Sequence, residues 1–245
     1  MIRLILTLTA LILFLVGSIP LMIFEWILGF FNKPLKDISS LRIVQWGFRR
    51  VIDAAGTKII VRGEENLPEG AALYVGNHSG YFDVVISYML MKNLTGYISK
   101  KEMLKVPLLN IWMKNLHCIF MDRHDIKDGL KAILAAIEKA KQGISICIFP
   151  EGTRAENPDV FGEFKDASFK IASKADIPVV PMALVNTRNV WEAHFPRIEK
   201  QTVVLEYLPP INIKELSKDE QKHIGAYVSG RIKEVYDRNK KEYFG

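Results

Sequence analysis

The amino-acid sequence predicts an α/β fold with a mixed, largely parallel sheet flanked by helices. Short apolar runs of strand length alternate with helix-like stretches, which is the order typical of α/β sandwiches. Three polar clusters directly follow strand-like runs, where the loops of such sheets carry chemistry. Hydrophobic residues make up 49% of the 245 residues, enough to fill the core of one large domain or two small ones.

The chain begins with an apolar helical segment. Leu4–Phe24 contains no charged side chain, and a helix of that length, at about 1.5 Å per residue, reaches across a bilayer core. Gly17–Pro20 breaks the segment, and the apolar Trp26–Phe31 follows it. Residues 1–36 are therefore predicted to be a membrane anchor, either one kinked spanning helix or a bent two-helix motif in one leaflet. A cleavable signal peptide is disfavoured because no A-x-A-like site follows.

Seven short apolar stretches in residues 37–245 are predicted to be strands. They are Lys58–Gly63, Ala72–Gly76, Gly96–Ser99, Cys118–Met121, Ile144–Phe149, Pro178–Leu184 and Val203–Leu208. The fifth and sixth are almost continuously apolar, which is typical of strands that are buried on both faces.

Helices are predicted between and after these strands. Leu41–Ala55 is amphipathic, and Val84–Leu90 begins a helix after a polar loop. Asp125–Lys141 is the clearest helix. Its large apolar residues recur at helical spacing: Leu130, Ile133, Leu134 and Ile137. Ser217-x-x-Glu220 is a capping box before a final helix.

The net charge of +6 is spread along the chain. A mild basic surplus suits an anionic membrane surface or phosphorylated substrates. Nucleic-acid binding is not expected, because no basic stripe with interleaved aromatic residues occurs. Basic residues follow the apolar segment and, if it spans a membrane, place the next domain in the cytoplasm. These residues are Lys33, Lys36, Arg42, Arg49 and Arg50.

The two cysteines predict buried, reduced thiols. Cys118 and Cys147 both lie in apolar runs, and neither has CxxC or metal-ligand spacing. Reduced thiols fit a cytoplasmic domain.

A histidine and an aspartate form the first candidate site. Asn77–Asp83, with the sequence NHSGYFD, follows a predicted strand and ends near the start of a helix. A tight turn through Ser79-Gly80 brings the Asp83 carboxylate onto the His78 imidazole. Such a contact fixes the tautomer and raises the basicity of the other ring nitrogen, which can then deprotonate a hydroxyl. The alternative for this pattern alone is a loop histidine that caps a helix.

Two further clusters supply cations and a flexible loop. Phe149–Arg154, FPEGTR, follows a buried strand; its glycine permits close backbone approach and its arginine is a two-pronged donor for phosphate. Lys100–Pro107 and Asp122-Arg123 add cations on two more loops. Taken alone, an ordinary turn or a solvated basic face explains each cluster.

Taken together, these clusters resemble the lysophosphatidic acid acyltransferases, within the glycerolipid acyltransferase superfamily. NHSGYFD is similar to the family's first motif, NHxSxxD, and KKEMLKVP…CIFMDR looks like the second. FPEGTR matches the third letter for letter, and IPVVPMAL, Ile177–Leu184, looks like the fourth. The four occur in the family's order over roughly residues 58–208.

The resemblance implies that residues 37–245 form an acyltransferase catalytic domain. His78 would be the general base, and Asp83 would orient it. Arg123, Arg154 and Lys101 would hold an acceptor phosphate. The full set of implied substrate-binding residues is Lys101, Arg123, Glu151, Gly152, Thr153 and Arg154. Glu151 and Gly152 would position the glycerol or polarise the reacting centre, and backbone N–H groups near Gly152 are candidate oxyanion donors.

The implied reaction moves a fatty acyl group from acyl-CoA or acyl carrier protein to the sn-2 hydroxyl of 1-acylglycerol-3-phosphate, giving phosphatidic acid for phospholipid synthesis. The thioester donor is already activated, so no enzyme nucleophile, metal or other cofactor is expected. Membrane lipids are the expected partners, and the expected location is the cell membrane, with the catalytic domain on its cytoplasmic side. Nothing in the sequence predicts the oligomeric state.

Three positions depart from the family pattern. Gly80 stands where the family has serine and is expected to loosen the His–Asp turn. Asn110 and His117 stand where glycines are usual and are expected to alter the acceptor pocket. The alternatives are another lysolipid acceptor, a hydrolase, or a non-catalytic membrane lipid-binding protein. The G-x-S-x-G signature of a serine esterase is absent.

Overall fold

The computed structural model describes residues 1–245 and has the predicted α/β architecture. Its sheet contains seven strands in the order β1-β7-β6-β2-β5-β3-β4. They are β1 Lys58–Arg62, β2 Leu73–Gly76, β3 Thr95–Lys100, β4 Ile119–Met121, β5 Ser145–Ile148, β6 Val179–Val185 and β7 Thr202–Tyr207. All seven predicted strands are confirmed, and no strand end differs from its prediction by more than one residue.

The sheet is mixed but largely parallel, as predicted. β2 lies at its centre and pairs in parallel with β5 and β6, while β3 pairs in parallel with β5 and β4. Only β6 and β7 pair antiparallel, and β1 runs parallel to β7. The carboxyl ends of β2, β3, β4, β5 and β6 therefore meet at one edge, where the loops of an α/β sheet carry ligand-binding residues.

Helices cover both faces of the sheet. They are α1 Ile2–Gly17, α2 Ile19–Phe31, α3 Lys33–Ala55, α4 Tyr81–Met89, α5 Leu109–Asn115, α6 Ile126–Lys141, α7 Lys170–Ala175, α8 Lys218–Lys222 and α9 Ile224–Phe244. Successive strand residues face opposite sides, so Tyr74 joins the apolar core beneath α3, α4 and α5. Its neighbours Leu73 and Val75 join a second core beneath α6, α7 and α9.

The N-terminal apolar segment forms two helices that meet at Ser18. The break falls inside the predicted Gly17–Pro20 cluster, and α1 and α2 are bent by 44°. Neither helix alone is long and apolar enough to cross a membrane, whereas the bent pair together has the length and composition to do so. The helix α3 begins at Lys33, so the predicted boundary after residue 36 falls within a helix.

Side chains tie this helix pair to the rest of the fold. The Phe14 ring occupies the space where a side chain at Gly47 of α3 would lie. The Trp112 indole N–H donates to the Ser18 hydroxyl at 2.9 Å. Glu25 is fully buried in α2 and accepts hydrogen bonds from the hydroxyls of Ser39 and Ser40.

One helical prediction needs correction. The Ser217–Glu220 capping box holds only the short α8, and the chain turns at His223 before α9 begins. The helix α6 is confirmed, but Leu130 and Leu134 are 60% and 54% exposed. Its buried residues are Ala132, Ala136, Ile137 and Ala140. The helix therefore packs largely through small side chains, which permit a close approach to the sheet.

Candidate active site

His78 and Asp83 meet in a closed turn between β2 and α4. The Nδ1 atom of His78 lies 2.8 Å from Asp83 Oδ2, and both residues are buried. Asp83 lies in the first turn of α4, and His78 comes two residues after the end of β2. A carboxylate on Nδ1 keeps the proton on that nitrogen and leaves Nε2 to act as a base. The predicted contact is confirmed.

The expectation that Gly80 loosens this turn is wrong. Besides the imidazole, Asp83 Oδ2 accepts the backbone N–H groups of Ser79 and Gly80 at 2.6 and 2.7 Å. Three donors converge on one carboxylate oxygen, so the turn is closed by hydrogen bonds that need no side chain at residue 80. The helix N-terminus adds a favourable field for the negative charge of Asp83.

The Phe149 ring fixes the plane of the imidazole. The two rings stack with centroids 4.4 Å apart and an interplanar angle of 19°. His78 Nε2 makes no hydrogen bond within the chain, so the nitrogen that is expected to act as the base is not occupied by a protein group.

Glu151 makes backbone hydrogen bonds that hold the loop carrying His78, here called the histidine loop. One carboxylate oxygen accepts the backbone N–H of His78 at 2.7 Å, and the other accepts that of Gly162 at 2.8 Å. Burial raises the pKa of Glu151, and these two N–H groups partly oppose the shift. Both oxygens are engaged by backbone N–H groups, so Glu151 supports His78 in this structure, and its predicted role, to position the glycerol or polarise the reacting centre, stays a prediction.

The FPEGTR loop is bound to the histidine loop and to Arg123. The backbone N–H of Ala155 donates to the His78 carbonyl at 2.8 Å. Gly152 has a φ of +72°, a conformation that favours glycine, and its carbonyl accepts a hydrogen bond from Arg123. Burial lowers the pKa of Arg123. The N–H of Gly152 donates to the Phe149 carbonyl at 3.1 Å, so it is not a free oxyanion donor.

The next residues of this loop leave donors available. The backbone N–H groups of Thr153 and Arg154 make no hydrogen bond within the chain, and both side chains are exposed. The Arg154 guanidinium lies over the Tyr81 ring, with its central carbon 4.0 Å from the ring centroid. The structure thus brings both predicted arginines to the loop that borders His78.

Lys101 is less closely connected to the site. It begins a 3-10 turn, Lys101–Lys105, directly after β3, and its exposed side chain makes no ion pair. The Glu102 carboxylate of this turn raises the pKa of Arg123, which opposes the larger effect of burial. Lys101 therefore lies at the same sheet edge but outside the hydrogen-bonded cluster.

Asn110 and His117 do not line the site. The Asn110 side chain donates to the Leu104 carbonyl at 2.8 Å. His117 has a φ of +59°, and its Nε2 atom lies 3.1 Å from Asp37 Oδ2 of α3. Neither side chain contacts the His78–Asp83 cluster, so the expectation that these residues alter the acceptor pocket stays a prediction, and the positive φ at His117 explains why a glycine would suit that position.

Sequence reasoning missed three residues that reach the site after β6. Thr187 bonds the Ser79 hydroxyl at 3.1 Å, and Arg188 donates to the carbonyls of Ser79 and Ala155 at 3.4 and 3.2 Å. Glu192 pairs with Arg154 at 3.3 Å. All three lie more than 30 positions from these partners, so no pattern of neighbouring residues predicts their role.

One cavity of the structure lies away from the candidate site. A cavity of about 640 Å³ lies between α9 and the segment 159–166, and it is lined by neither His78 nor Asp83. The hydrogen-bonded cluster is a better guide, because chemistry depends on the placement of specific groups.

Comparisons with known proteins agree with this geometry. A family model described as acyltransferase matches residues 58–185. The 1-acyl-sn-glycerol-3-phosphate acyltransferase of Borreliella burgdorferi is 31% identical over 73% of this chain and 71% of its own length. The protein of that name from Salmonella typhimurium is 28% identical over 74% of this chain and 73% of its own length.

A solved structure extends the similarity to nearly the whole chain. The crystal structure of the 1-acyl-sn-glycerophosphate (LPA) acyltransferase PlsC from Thermotoga maritima superposes with a TM-score of 0.81 at 25% identity. The alignment covers 97% of this chain and 96% of that one. The family model covers more than half of the chain and includes His78, Asp83, Arg123 and the FPEGTR loop. The chain therefore belongs to the acyltransferase family, among the lysophosphatidic acid acyltransferases.

Proposed function

We propose that this acyltransferase moves a fatty acyl group from acyl-CoA or acyl carrier protein to the sn-2 hydroxyl of 1-acylglycerol-3-phosphate. The product is phosphatidic acid, for phospholipid synthesis. The observation that carries the proposal is the closed His78–Asp83 pair beside a loop bordered by two arginines. The names of the curated relatives support the same acceptor.

The reaction follows from these groups. His78 Nε2 takes the proton of the acceptor hydroxyl, and the hydroxyl oxygen attacks the thioester carbonyl. The N–H groups of Thr153 and Arg154, which make no hydrogen bond within the chain, would donate to the resulting oxyanion. Collapse of the tetrahedral intermediate breaks the C–S bond, and the departing thiolate takes the proton back from His78, which releases the thiol and restores the base. Both substrates are bound together, and no acyl-enzyme forms.

The acceptor phosphate is assigned to Arg123 and Arg154. Both guanidinium groups border the Gly152 loop, and arginine binds phosphate through paired, charge-assisted hydrogen bonds. Lys101, at the same sheet edge, contributes a further positive charge without a fixed partner. A phosphate monoester fits this excess of cationic donors better than a neutral headgroup.

We also propose that α1 and α2 attach the enzyme to the cell membrane, with the catalytic domain on the cytoplasmic side. Large apolar side chains of both helices are exposed, among them Leu13, Val16, Trp26, Phe30 and Phe31. Exposed apolar area of this extent favours burial in the interface of a bilayer. Attachment there would give the site access to an acceptor that resides in the membrane.

The decisive experiment is thiol release from acyl-CoA and from acyl carrier protein, each with and without 1-acylglycerol-3-phosphate. The enzyme proposed here releases thiol only when the acceptor is present and forms phosphatidic acid in equal amount. Release without acceptor would indicate a hydrolase, and release only with another lysolipid would change the acceptor. No release under any condition would indicate a non-catalytic lipid-binding protein.

A further inference from the structure

Glu192 contacts Tyr81 and Arg154 at the candidate site and belongs to none of the four motifs. It begins a 3-10 turn, Glu192–His194, in the segment that follows β6. Its side chain is 12% exposed, whereas that of Arg154, its partner, is 38% exposed. Removing a carboxylate from water is unfavourable unless the carboxylate is paired. The contacts of Glu192 must therefore explain why it is largely buried beside Arg154.

One oxygen of Glu192 holds two elements together. Oε1 accepts the backbone N–H of Tyr81 at 2.5 Å, in the first turn of α4, and also accepts a hydrogen bond from Arg154 Nη1 at 3.3 Å. The Arg154 guanidinium is thus confined between this carboxylate and the Tyr81 ring. These two contacts oppose free rotation of the long Arg154 side chain, while its remaining N–H groups stay available to an anion.

The other oxygen of Glu192 explains the glycine at position 80. Oε2 lies 2.8 Å from the point that a Cβ on Gly80 would occupy, closer than non-bonded atoms tolerate. The φ of Gly80 is −155°, an extended conformation open to any residue, so the glycine is not required by its backbone. Its missing side chain provides the space into which the Glu192 carboxylate fits.

We propose that Glu192 is a positioning residue for Arg154, and that Gly80 is the space that admits it. This inference rests on the proposed function, because Arg154 is there assigned to the acceptor phosphate. Glu192 holds the guanidinium over Tyr81 before the acceptor arrives, so less rotational freedom is lost on binding. Its effect should therefore appear in the Michaelis constant of the acceptor, whereas that of the donor should be unaffected.

Four variants separate positioning from simple structural support. Glu192→Ala removes both contacts, and Glu192→Gln keeps an oxygen for the Tyr81 N–H but loses the charge that holds Arg154. Gly80→Ala places a methyl group against the carboxylate and displaces it. The double variant Gly80→Ala/Glu192→Ala contains the same methyl group with nothing to displace.

Steady-state kinetics should show a rise in acceptor KM of about 3- to 10-fold for Glu192→Ala and for Gly80→Ala, since the partly exposed pair limits the effect. Donor KM should not change. The acceptor KM of the double variant should equal that of either single variant, so the effects of the two substitutions should not multiply. Glu192→Gln should keep the Tm of the wild type and show an intermediate acceptor KM. Two controls should remain at wild-type values: Glu199→Ala, which removes a partner of His194 in the same segment, and Gly70→Ala, where a Cβ meets nothing.

A second readout is independent of the substrate. Phenylglyoxal modifies free arginine side chains, and peptide mass spectrometry measures its rate at Arg154. Glu192→Ala and Gly80→Ala should speed this labelling, because the guanidinium is no longer paired. The inference is overturned if either the acceptor KM or the labelling rate of Glu192→Ala stays at the wild-type value. If the effects of the two substitutions on acceptor KM multiply in the double variant, the proposed role of Gly80 is wrong. If the wild type does not use lysophosphatidate, the proposed function fails, and the labelling rates alone decide whether Glu192 positions Arg154.

Discussion

The buried carboxylate of Glu151 accepts the backbone N–H of His78 at 2.7 Å, so the residue proposed as the base is held by a second motif through its main chain. Asp83 holds the same residue through its side chain at 2.8 Å. The imidazole is therefore fixed from two directions, while the Phe149 ring limits its rotation. Such support is what keeps a base in the orientation that proton transfer needs.

The first prediction concerns the base. His78→Ala should lower kcat by about 100- to 10,000-fold, because a positioned general base contributes that much. Asp83→Asn should also lower kcat, since an amide at residue 83 no longer favours the required tautomer. Thiol release measures both, with Tm to confirm folding and His223→Ala, an exposed histidine, as the control. Near-normal turnover of a well-folded His78→Ala protein would exclude the mechanism.

The second prediction concerns the pH dependence of stability that Glu151 causes. Burial raises its pKa above the usual value of 4.5, so the folded state binds the proton more tightly than the unfolded state. The stabilisation of the folded state by protonation of Glu151 is complete below pH 4.5, and it is lost as pH rises through the raised pKa. The Tm of wild type minus that of Glu151→Gln, measured from pH 4 upward, should therefore fall with rising pH. A difference that rises with pH would contradict this sign.

The third prediction concerns the arginines. Arg154→Ala should raise the acceptor KM about 10- to 100-fold, or about 1.4–2.8 kcal/mol, with little change in donor KM. Arg123→Ala should also lower kcat, because the Arg123 side chain bonds the Gly152 carbonyl and so shapes the catalytic loop. Lysine should rescue either position only partly, since it lacks the planar fork.

The control for these variants is Arg62→Ala, which removes an ion pair with Glu242. Arg62 lies on β1, which β7 and β6 separate from β2 in the sheet. Steady-state kinetics with both substrates varied separates the two Michaelis constants. If the donor KM alone moves, the arginines bind the phosphates of the thioester donor instead.

The fourth prediction concerns the thiols. Burial raises the pKa of Cys118 to about 11, and it raises that of the fully buried Cys147 as well. Thiolate is therefore scarce at neutral pH, and neither residue should become acylated. Cys118→Ser and Cys147→Ser should keep turnover, although the hydroxyl in the core at residue 147 should lower Tm. An acyl adduct on either cysteine, seen by intact mass after incubation with donor alone, would contradict direct transfer.

The fifth prediction concerns membrane attachment. Phe30 and Phe31 are 70% and 84% exposed, so Phe30→Ser/Phe31→Ser should leave the fold intact. Binding to phospholipid vesicles should weaken at least about tenfold, because burial of one large apolar side chain contributes about 1.5–3 kcal/mol. Co-sedimentation measures this, with the exposed Val160→Ser as the control. Unchanged binding would place the membrane contact elsewhere.

Substitution is a better test of attachment than deletion of residues 1–36. Phe14 packs into the groove at Gly47, and Ser18 accepts the Trp112 indole N–H. Deletion would expose these core surfaces and confuse loss of the membrane contact with loss of folding.

The sequence by itself determined the fold class, all seven strands and the His78–Asp83 pair. These features depend on neighbours in the chain. Strand length, apolar continuity and breakers are local, and the turn that closes His78 onto Asp83 spans only five residues. The break at Ser18 was likewise visible in Gly17–Pro20, because proline and glycine act on the backbone where they stand.

The tertiary structure decided which distant groups support the site. Glu151 turned out to bind the backbone of His78, 73 positions away, and Glu192 to bind that of Tyr81, 111 positions away. The buried face of α6 was also decided by what the sheet admits, so small alanines pack inward while Leu130 stays exposed. Contacts across such separations depend on how the strands are ordered in the sheet, and periodicity along the chain carries no record of that order.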